Sequence, residues 1–229
     1  LSAEWDQSYS PYNDNCPIGC PAGCVATAMG QIMYHFKYPE TGLGSFSYTS
    51  RTNKYRLSFN FGNAHFNWSA MQDSYSTSNY GTAESRKAVA DLLEACGVSV
   101  AMDYDASKGS GAYEADVPYA IKNFFNYNEN AVVYEREYYK NSEWYEKVYE
   151  ELTANRPVFY GGVSKTGGRD AGHAFVIDGY RNEDGKFHVN WGWGGRYNGY
   201  YELDALDPPN GYRFSSGQCM LARFCPETV

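Results

Sequence analysis

The spacing of apolar residues predicts one helix near the amino end of the chain. Within Cys24–Phe36 these residues are Val25, Met29, Ile32, Met33 and Phe36. Apolar positions three to four residues apart are typical of an amphipathic α-helix. Pro39 and Gly42 end it, since both residue types break helices. We therefore predict a turn-rich segment over residues 1–23 that leads into a helix starting at Cys24.

The middle of the chain predicts short strands or ordered loops, followed by three helices. Aromatic and polar residues alternate at Phe46, Tyr48, Tyr55, Leu57, Phe59 and Phe61. The three predicted helices are Ala83–Cys96, Val117–Tyr127 and Glu143–Asn155, with Thr82, Asp116 and Ser142 as their amino-terminal caps. Ser, Thr and Asp are preferred at that position because their side-chain oxygens accept from the free N–H groups of the first turn.

From Pro157 onward the pattern changes to strands separated by Gly, Asn and Asp turns. The predicted strands are Pro157–Gly161, His173–Tyr180, Lys186–Trp191, Tyr200–Leu203 and Cys219–Phe224. Helices come first and an antiparallel sheet last, which predicts the α+β class, with a helical half facing a β half. No composition break marks a linker, so we expect residues 1–229 to form one structural unit.

Charge and hydropathy narrow the classes of partner. The formal net charge is -8, and no basic surface for nucleic acid or membrane lipid is expected. No apolar run reaches the ~18 residues of a membrane span, and no leader peptide is visible at the amino end. We expect an exported protein whose signal and prosegment were removed before residue 1.

The six cysteines do not resemble a disulfide framework. Cys16, Cys20 and Cys24 are crowded together, whereas Cys96, Cys219 and Cys225 lie far away in the sequence. If Cys219 and Cys225 share one strand, they are ~20 Å apart, beyond disulfide reach. Most of these thiols are therefore expected to be free, and whether Cys16 and Cys20 pair stays open.

Cys24 has the surroundings that a nucleophilic thiol needs. It follows Pro21-Ala22-Gly23 and starts the predicted helix. The positive end of a helix dipole lowers a thiol pKa, and the small residues leave room for a substrate. A buried structural cysteine could share this environment.

Among the four histidines, His173 is the best candidate for a base. His35 is ~16 Å from Cys24 along the same helix, too far for a partner. His65 lies among aromatic residues, and His188 lies within a strand and can face solvent. His173 instead follows a glycine-rich loop, Gly167–Gly172, and opens an apolar strand. A rigid strand end can present an imidazole to a cleft.

Three segments together resemble the streptopain and interpain family of papain-like bacterial cysteine peptidases. They are Gly23–Met33 (GCVATAMGQIM), Gly172–Gly179 (GHAFVIDG) and His188–Gly195 (HVNWGWGG). The resemblance runs in order from Trp5 to about Leu206. It implies a two-lobed papain-like fold, secretion as a proenzyme and endopeptidase activity, with residues 1–229 as a single catalytic domain.

The resemblance also implies roles for individual residues. Cys24 becomes the nucleophile, His173 the general base and acid, and Gln7 a donor of the oxyanion hole. For the group that orients the histidine, the usual papain-like pattern has one residue between Asn and Trp-Gly, whereas here Asn190 adjoins Trp191 directly. A one-residue shift on a strand reverses the facing side. Either Asn190 accepts from the imidazole, which we favour, or the indoles of Trp191 and Trp193 position and shield it.

Substrate contacts are expected from Ser110, Gly172, Trp191 and Trp193. Gly109-Ser110-Gly111 matches the segment that walls the cleft on the side before the scissile bond, and Gly172 offers backbone groups to an extended peptide. The resemblance implies an apolar preference two residues before the scissile bond. The expected partners are protein or peptide substrates and an inhibitory prosegment, with no nucleic acid, no membrane, no metal and no cofactor, and the chain is expected to be a monomer.

Other classes of function are weighed against this one. An iron–sulfur or zinc site is suggested by Cys16-x3-Cys20-x3-Cys24, but this spacing does not suit either group, and the sequence offers no second pair nearby. An amidase, acyltransferase or leader-peptide processing enzyme would keep the Cys–His chemistry on another substrate. A non-catalytic binding protein would be expected to lose Cys24, His173 or Gln7, and the chain retains all three.

Overall fold

The computed structural model describes residues 1–168 and 170–229. Its helices are α1 (Cys24–Phe36), α2 (Ala83–Ser99), α3 (Val117–Phe125) and α4 (Asn141–Thr153). Its strands are β1 (Ser45–Thr49), β2 (Arg56–Asn60), β3 (Val132–Glu135), β4 (Val158–Ser164), β5 (Ala171–Arg181), β6 (Lys186–Asn190), β7 (Gly199–Tyr201) and β8 (Ser216–Ala222). The predicted α+β class is confirmed. Arg169, in the predicted glycine-rich loop, lies outside the described residues.

The four predicted helices form with small changes at their ends. α1 spans the predicted residues, and Thr82 caps α2 by accepting from the Ser85 N–H at 3.1 Å. Asp116 occupies the cap position of α3 without a side-chain capping bond. The Ser142 cap was wrong: α4 begins at Asn141, and the Glu143 carboxylate accepts from the Lys140 N–H at 2.9 Å.

The strands form two sheets. β1 and β2 pair as an antiparallel hairpin, so the short strands expected from the aromatic alternation are confirmed. The large sheet has the order β3-β8-β4-β5-β6-β7, with antiparallel pairing throughout these neighbours. Strand β3 was not predicted, because its four residues are too short a run to show a strand pattern.

The core lies on both faces of the large sheet. On one face Phe159, Ala174, Val176 and Leu221 pack with the residues of α1 and α2. On the other face Tyr160, Phe175 and Ile177 pack with Trp144 and Val148 of α4. α1 is enclosed between α2 and the sheet, and all residues from Val25 to Tyr34 are buried. Small residues permit this, since a Cβ on Gly30 would lie 2.7 Å from Leu93.

The expectation that Cys219 and Cys225 share a strand was wrong. β8 ends at Ala222, and Arg223 adopts a left-handed backbone conformation with a φ of 59° that turns the chain. Cys225 therefore lies beyond the strand. All six cysteines are free thiols in the structure.

Candidate active site

The nucleophile candidate lies where a strained turn becomes a helix. Gly23 has a φ of 94°, a region that favours glycine, and Cys24 is the first residue of α1. A Cβ on Gly23 would lie 2.6 Å from Cε of Met102. The Gly23 carbonyl accepts from the backbone N–H and the hydroxyl of Thr27, at 3.1 and 2.9 Å. This glycine therefore sets the angle at which Cys24 leaves the turn.

His173 reaches the same place from strand β5. Its ring is 7% exposed and stacks on Trp193, with centroids 4.7 Å apart and planes 17° apart. Its Nε2 lies 2.8 Å from the backbone carbonyl of Trp191. A carbonyl only accepts, so Nε2 carries the proton in this bond. In the neutral ring Nδ1 is then left as the acceptor.

A backbone contact joins the two halves of the site. The N–H of Ala174, the residue after His173, donates to Cys24 Sγ at 3.4 Å. Residues 150 positions apart in the chain therefore meet at the thiol. The strand end that carries His173 therefore lies at Cys24, and both residues line one cleft.

Burial controls the charges of this pair. It raises the pKa of the Cys24 thiol to about 11 and lowers the pKa of His173 to about 4. The Ala174 N–H acts in favour of the thiolate, and the Trp191 carbonyl in favour of the imidazolium. Neither charge is favourable alone, so a thiolate and an imidazolium could form here only together, each stabilising the other.

Asn190 does not orient the imidazole as we favoured from the sequence. Its Oδ1 accepts from Gln31 Nε2 at 3.2 Å and from the Gly192 N–H at 3.1 Å. Its Nδ2 donates to the Ala3 carbonyl at 2.7 Å. With both ends of the amide engaged, the partner of the imidazole is the next residue's backbone. The alternative drawn from the sequence, tryptophans that position and shield the ring, agrees better with this geometry.

Gln7 lies beside the nucleophile, as the resemblance implied. Its backbone carbonyl accepts from the Ala22 N–H at 2.8 Å, two residues before Cys24. Nearby, Trp5 is fully buried and its N–H donates to Gln31 Oε1 at 3.0 Å. The side chain of Gln7 makes no hydrogen bond to another described residue. It lines the cleft together with Cys24.

An open cleft of about 960 Å³ contains the site. Of the expected substrate contacts, Ser110, Gly172 and Trp193 line this cleft. Trp191 does not: its side chain is fully buried, and its indole N–H donates to the Tyr197 carbonyl at 3.0 Å. Trp191 therefore supports the site from behind through its backbone and its ring.

Ser110 holds the cleft wall in place. Its hydroxyl donates to the Pro21 carbonyl at 2.7 Å and accepts from the Asp105 N–H at 3.3 Å. The Asp105 carboxylate accepts from the backbone N–H groups of Ser107 and Lys108, at 2.8 and 2.9 Å. The wall is thus tied to the turn that precedes Cys24, and this loop lines the cleft.

The backbone of Gly172 faces the cleft. Along a strand, successive N–H groups point to opposite edges, so the N–H of Gly172 shares an edge with that of Ala174. The Ala174 N–H points at Cys24, away from β4. Pairing of β5 with β6 begins only at Val176. The edge at Gly172 is therefore open to an extended peptide, and a Cβ on Gly172 would meet nothing within 4 Å.

The other histidines and cysteines lie elsewhere. His35 and His65 are exposed, and His188 Nδ1 is 2.5 Å from the Asp178 carboxylate. Burial raises the pKa of Cys16 to about 12. Across residues 1–168 and 170–229, no three His, Cys, Asp or Glu side chains are grouped in a way that could hold a metal ion. Over the same residues, no helix is long and apolar enough to cross a membrane.

Two parts of the site were not visible to sequence reasoning. The partner of His173 is the Trp191 carbonyl and the donor to Cys24 is the Ala174 N–H, and every residue carries such groups. The only signal in the sequence was the missing residue between Asn190 and Trp191, which left open whether the Asn190 amide or the tryptophans position the imidazole. A third residue, Glu114, lines the cleft and has no motif of its own.

The fold and the site define a papain-like cysteine peptidase. The sequence profile of the Peptidase C10 family matches residues 5–201, and the chain belongs to this family. Streptopain of Streptococcus pyogenes is 40% identical over 192 residues, covering 80% of this chain and 46% of streptopain. The thiol protease/hemagglutinin PrtT of Porphyromonas gingivalis is 39% identical over 211 residues, covering 89% of this chain and 23% of PrtT. The chain thus spans less than half the length of these curated relatives.

Solved structures agree with this assignment. Active wild-type interpain A cysteine protease of Prevotella intermedia superposes with a TM-score of 0.90 at 40% identity, covering 96% of this chain and 92% of that one. A mutant prointerpain A fragment of the same organism gives a TM-score of 0.84 at 39% identity, covering 98% of this chain and 71% of that fragment. The expected family and the expected papain-like fold are both confirmed.

Proposed function

We propose that this chain is the catalytic domain of an endopeptidase that cleaves peptide bonds in proteins. The observation that carries the proposal is the junction at Cys24, where a helix-start thiol meets the Ala174 N–H and an imidazole whose Nδ1 is free to accept a proton. The name of interpain A as a cysteine protease supports it. The open edge at Gly172 supports an extended peptide as substrate.

The proposed reaction has two stages. Cys24 gives its proton to His173 Nδ1 and attacks the peptide carbonyl, while the Gln7 amide and the Cys24 N–H donate to the oxyanion. The imidazolium then protonates the leaving amine, and a thioester with Cys24 remains. In the second stage His173 takes a proton from water, the hydroxide attacks the thioester, and the thiol is regenerated with release of the acid.

We also propose that the protein is exported and is made with a prosegment that is later removed. The prointerpain A fragment among the similar structures supports a precursor form. We propose that the chain acts as a monomer on protein substrates. A cleft that Cys24, His173 and Gln7 of one chain line supports this.

The test compares the wild type with Cys24→Ala and with Cys16→Ala, a matched loss of another partly buried thiol. On an unfolded protein substrate we expect Cys24→Ala to lower kcat by ~10⁴-fold or more, as for other peptidase nucleophiles. Cys16→Ala should retain cleavage. Iodoacetamide at neutral pH should modify Cys24 first, located by mass spectrometry of the peptides.

Substantial cleavage by Cys24→Ala would contradict the assignment. Preferential labelling of Cys16 or Cys20 would also contradict it. Circular dichroism and thermal unfolding check that both variants are folded, so that a loss of activity is a loss of chemistry.

A further inference from the structure

A second cavity of about 520 Å³ adjoins the active-site cleft, and one residue lines both. That residue is Glu114, which lies in the short turn before α3. Its half-buried side chain crosses from the helical lobe to the sheet of the other lobe. The boundary between the cleft and the second cavity is therefore a carboxylate.

The carboxylate occupies the space that a side chain on Gly161 would fill. A Cβ built on Gly161 would lie 2.8 Å from Glu114 Oε1 and 3.1 Å from Cys219 Sγ. Gly161 pairs with Ala174 on one side and with Cys219 on the other, and Cys219 pairs with Glu135. Directly opposite residues of a sheet point to the same face.

This row of residues leads from the nucleophile into the second cavity. It starts at Ala174, whose N–H contacts Cys24 Sγ, passes Gly161 and Cys219, and ends at Glu135. Glu135 lines the second cavity, as does Glu114. A substrate side chain that enters along the row first meets Glu114 and then a second carboxylate.

The charge of Glu114 is not balanced by a described cation. Within residues 1–168 and 170–229 its carboxylate forms no ion pair and no hydrogen bond to another residue's side chain. Burial raises its pKa, and its own backbone N–H opposes this. Arg136 is the cation lining the second cavity, and it donates instead to Gln218 and Leu203, at 2.7 and 3.1 Å.

Burying an unpaired carboxylate is unfavourable, and a cation from outside offsets this cost. In an extended peptide the first and second residues before the scissile bond point to opposite sides. Counting back from the scissile bond, the second residue is the nearest one whose side chain can point away from Cys24 and enter the row at Gly161. The second cavity, with a volume of about 520 Å³, has room for a long side chain.

We propose that Glu114 is a specificity-determining residue, and that it selects a lysine or arginine side chain two residues before the scissile bond. This inference rests on the proposed endopeptidase function and specifies its substrate class. It replaces the apolar preference that the family resemblance implied at this position.

The test uses two peptides that differ only at the second residue before the scissile bond, which is Lys in one and norleucine in the other. Norleucine keeps the length of the side chain and lacks the ammonium group. We measure kcat/KM at pH 7.5 for the wild type, Glu114→Gln and Glu183→Gln, an exposed control for the lost charge. The ratio of Lys to norleucine cleavage should fall by ~10-fold or more in Glu114→Gln, as expected for a partly desolvated charge pair.

Gly161→Ala provides an independent test, since its Cβ has to displace the carboxylate while the charge stays in the protein. The ratio should fall there too, and the norleucine peptide should still be cleaved. An unchanged ratio in Glu114→Gln overturns the inference and leaves the proposed function intact. If the wild type cleaves neither peptide, the proposed function fails, and the inference fails with it.

Discussion

The two halves of the active site are held by different means. On the helical side, Cys24 is placed by backbone conformation, because Gly23 adopts a φ of 94° that other residues rarely adopt. On the sheet side, His173 is placed by packing, because its ring lies against Trp193 and its Nε2 binds the Trp191 carbonyl. The position of Cys24 thus depends on a glycine next to it in the sequence. The position of the His173 ring depends on where the backbone of the tryptophan loop lies.

Of the changes predicted for the two sides, removal of the His173 imidazole should have the largest effect on activity. In His173→Gln, we expect kcat to fall by ~10³- to 10⁴-fold, because no group accepts the thiol proton. Burial raises the pKa of the Cys24 thiol to about 11, and without the imidazole nothing offsets this in the variant. The rate at which iodoacetamide alkylates Cys24 in His173→Gln should therefore rise about tenfold per pH unit between pH 7 and 10. Stopped-flow labelling measures this rate. A variant that labels at pH 7 as fast as the wild type would show that the helix alone activates the thiol.

The pH dependence of kcat/KM in the wild type tests the environment of His173. Burial lowers the pKa of His173 to about 4, so the imidazole stays unprotonated and able to act as a base as the pH falls through 6. Activity should be lost only as the pH approaches about 4, whereas an imidazole with the ordinary pKa of ~6.5 would fail earlier. An acid limb of kcat/KM centred between pH 6 and 7 would contradict this.

An intermediate effect is expected where the loop backbone is held. Asn190→Leu removes the bonds that fix the tryptophan loop, so the Trp191 carbonyl shifts and kcat should fall by ~10- to 100-fold. Gln31→Met breaks the same network from α1. Both variants should move the acid limb of the pH profile to lower pH, because the Trp191 carbonyl that raises the pKa of His173 is displaced. If Asn190 acted directly on the imidazole, Gln31→Met would leave that limb unchanged.

The smallest effect is expected at the cleft wall. Asp105→Ala leaves the N–H groups of Ser107 and Lys108 without their acceptor, so the cleft wall at Ser110 should loosen. We expect KM to rise by a few-fold while kcat is kept, because the reacting groups are untouched. Asp103→Ala is the matched control, since that carboxylate binds Thr52 and not the wall. Equal KM values for the two variants would argue against a role for the Asp105 turn.

The helical side could be predicted closely from the sequence. Helical spacing and the small residues before Cys24 are local signals, and α1 has the predicted bounds. The apolar run of β5 and the glycines before it likewise pointed to His173. Local patterns predict which residue lies at the start of a helix or strand. Cys24 and His173 are proposed to act through their own side chains, so such patterns were enough to find them.

The rest of the site could not be predicted, because it depends on backbone atoms and on packing between distant segments. The sequence showed that Asn190 was out of its usual register, and we still assigned its amide to the imidazole. Only the fold shows that this amide is used by Gln31, Ala3 and Gly192. Ser110 lines the cleft as expected from the sequence, but the bond from its hydroxyl to the turn before the nucleophile is visible only in the fold. Glu114 lies at the boundary of two cavities only because β4 has a glycine opposite it.

The Gln31 side chain has a consequence for protein engineering. Its two ends bind the Trp5 N–H and the Asn190 amide, so the nucleophile helix, the strand end before the tryptophan loop and the segment leading to Gln7 share one buried junction. A loop exchanged between relatives would carry only one part of that junction and leave polar groups without partners. Chimaeras of this family should therefore exchange Gln31, Asn190 and the Trp5 segment as a set.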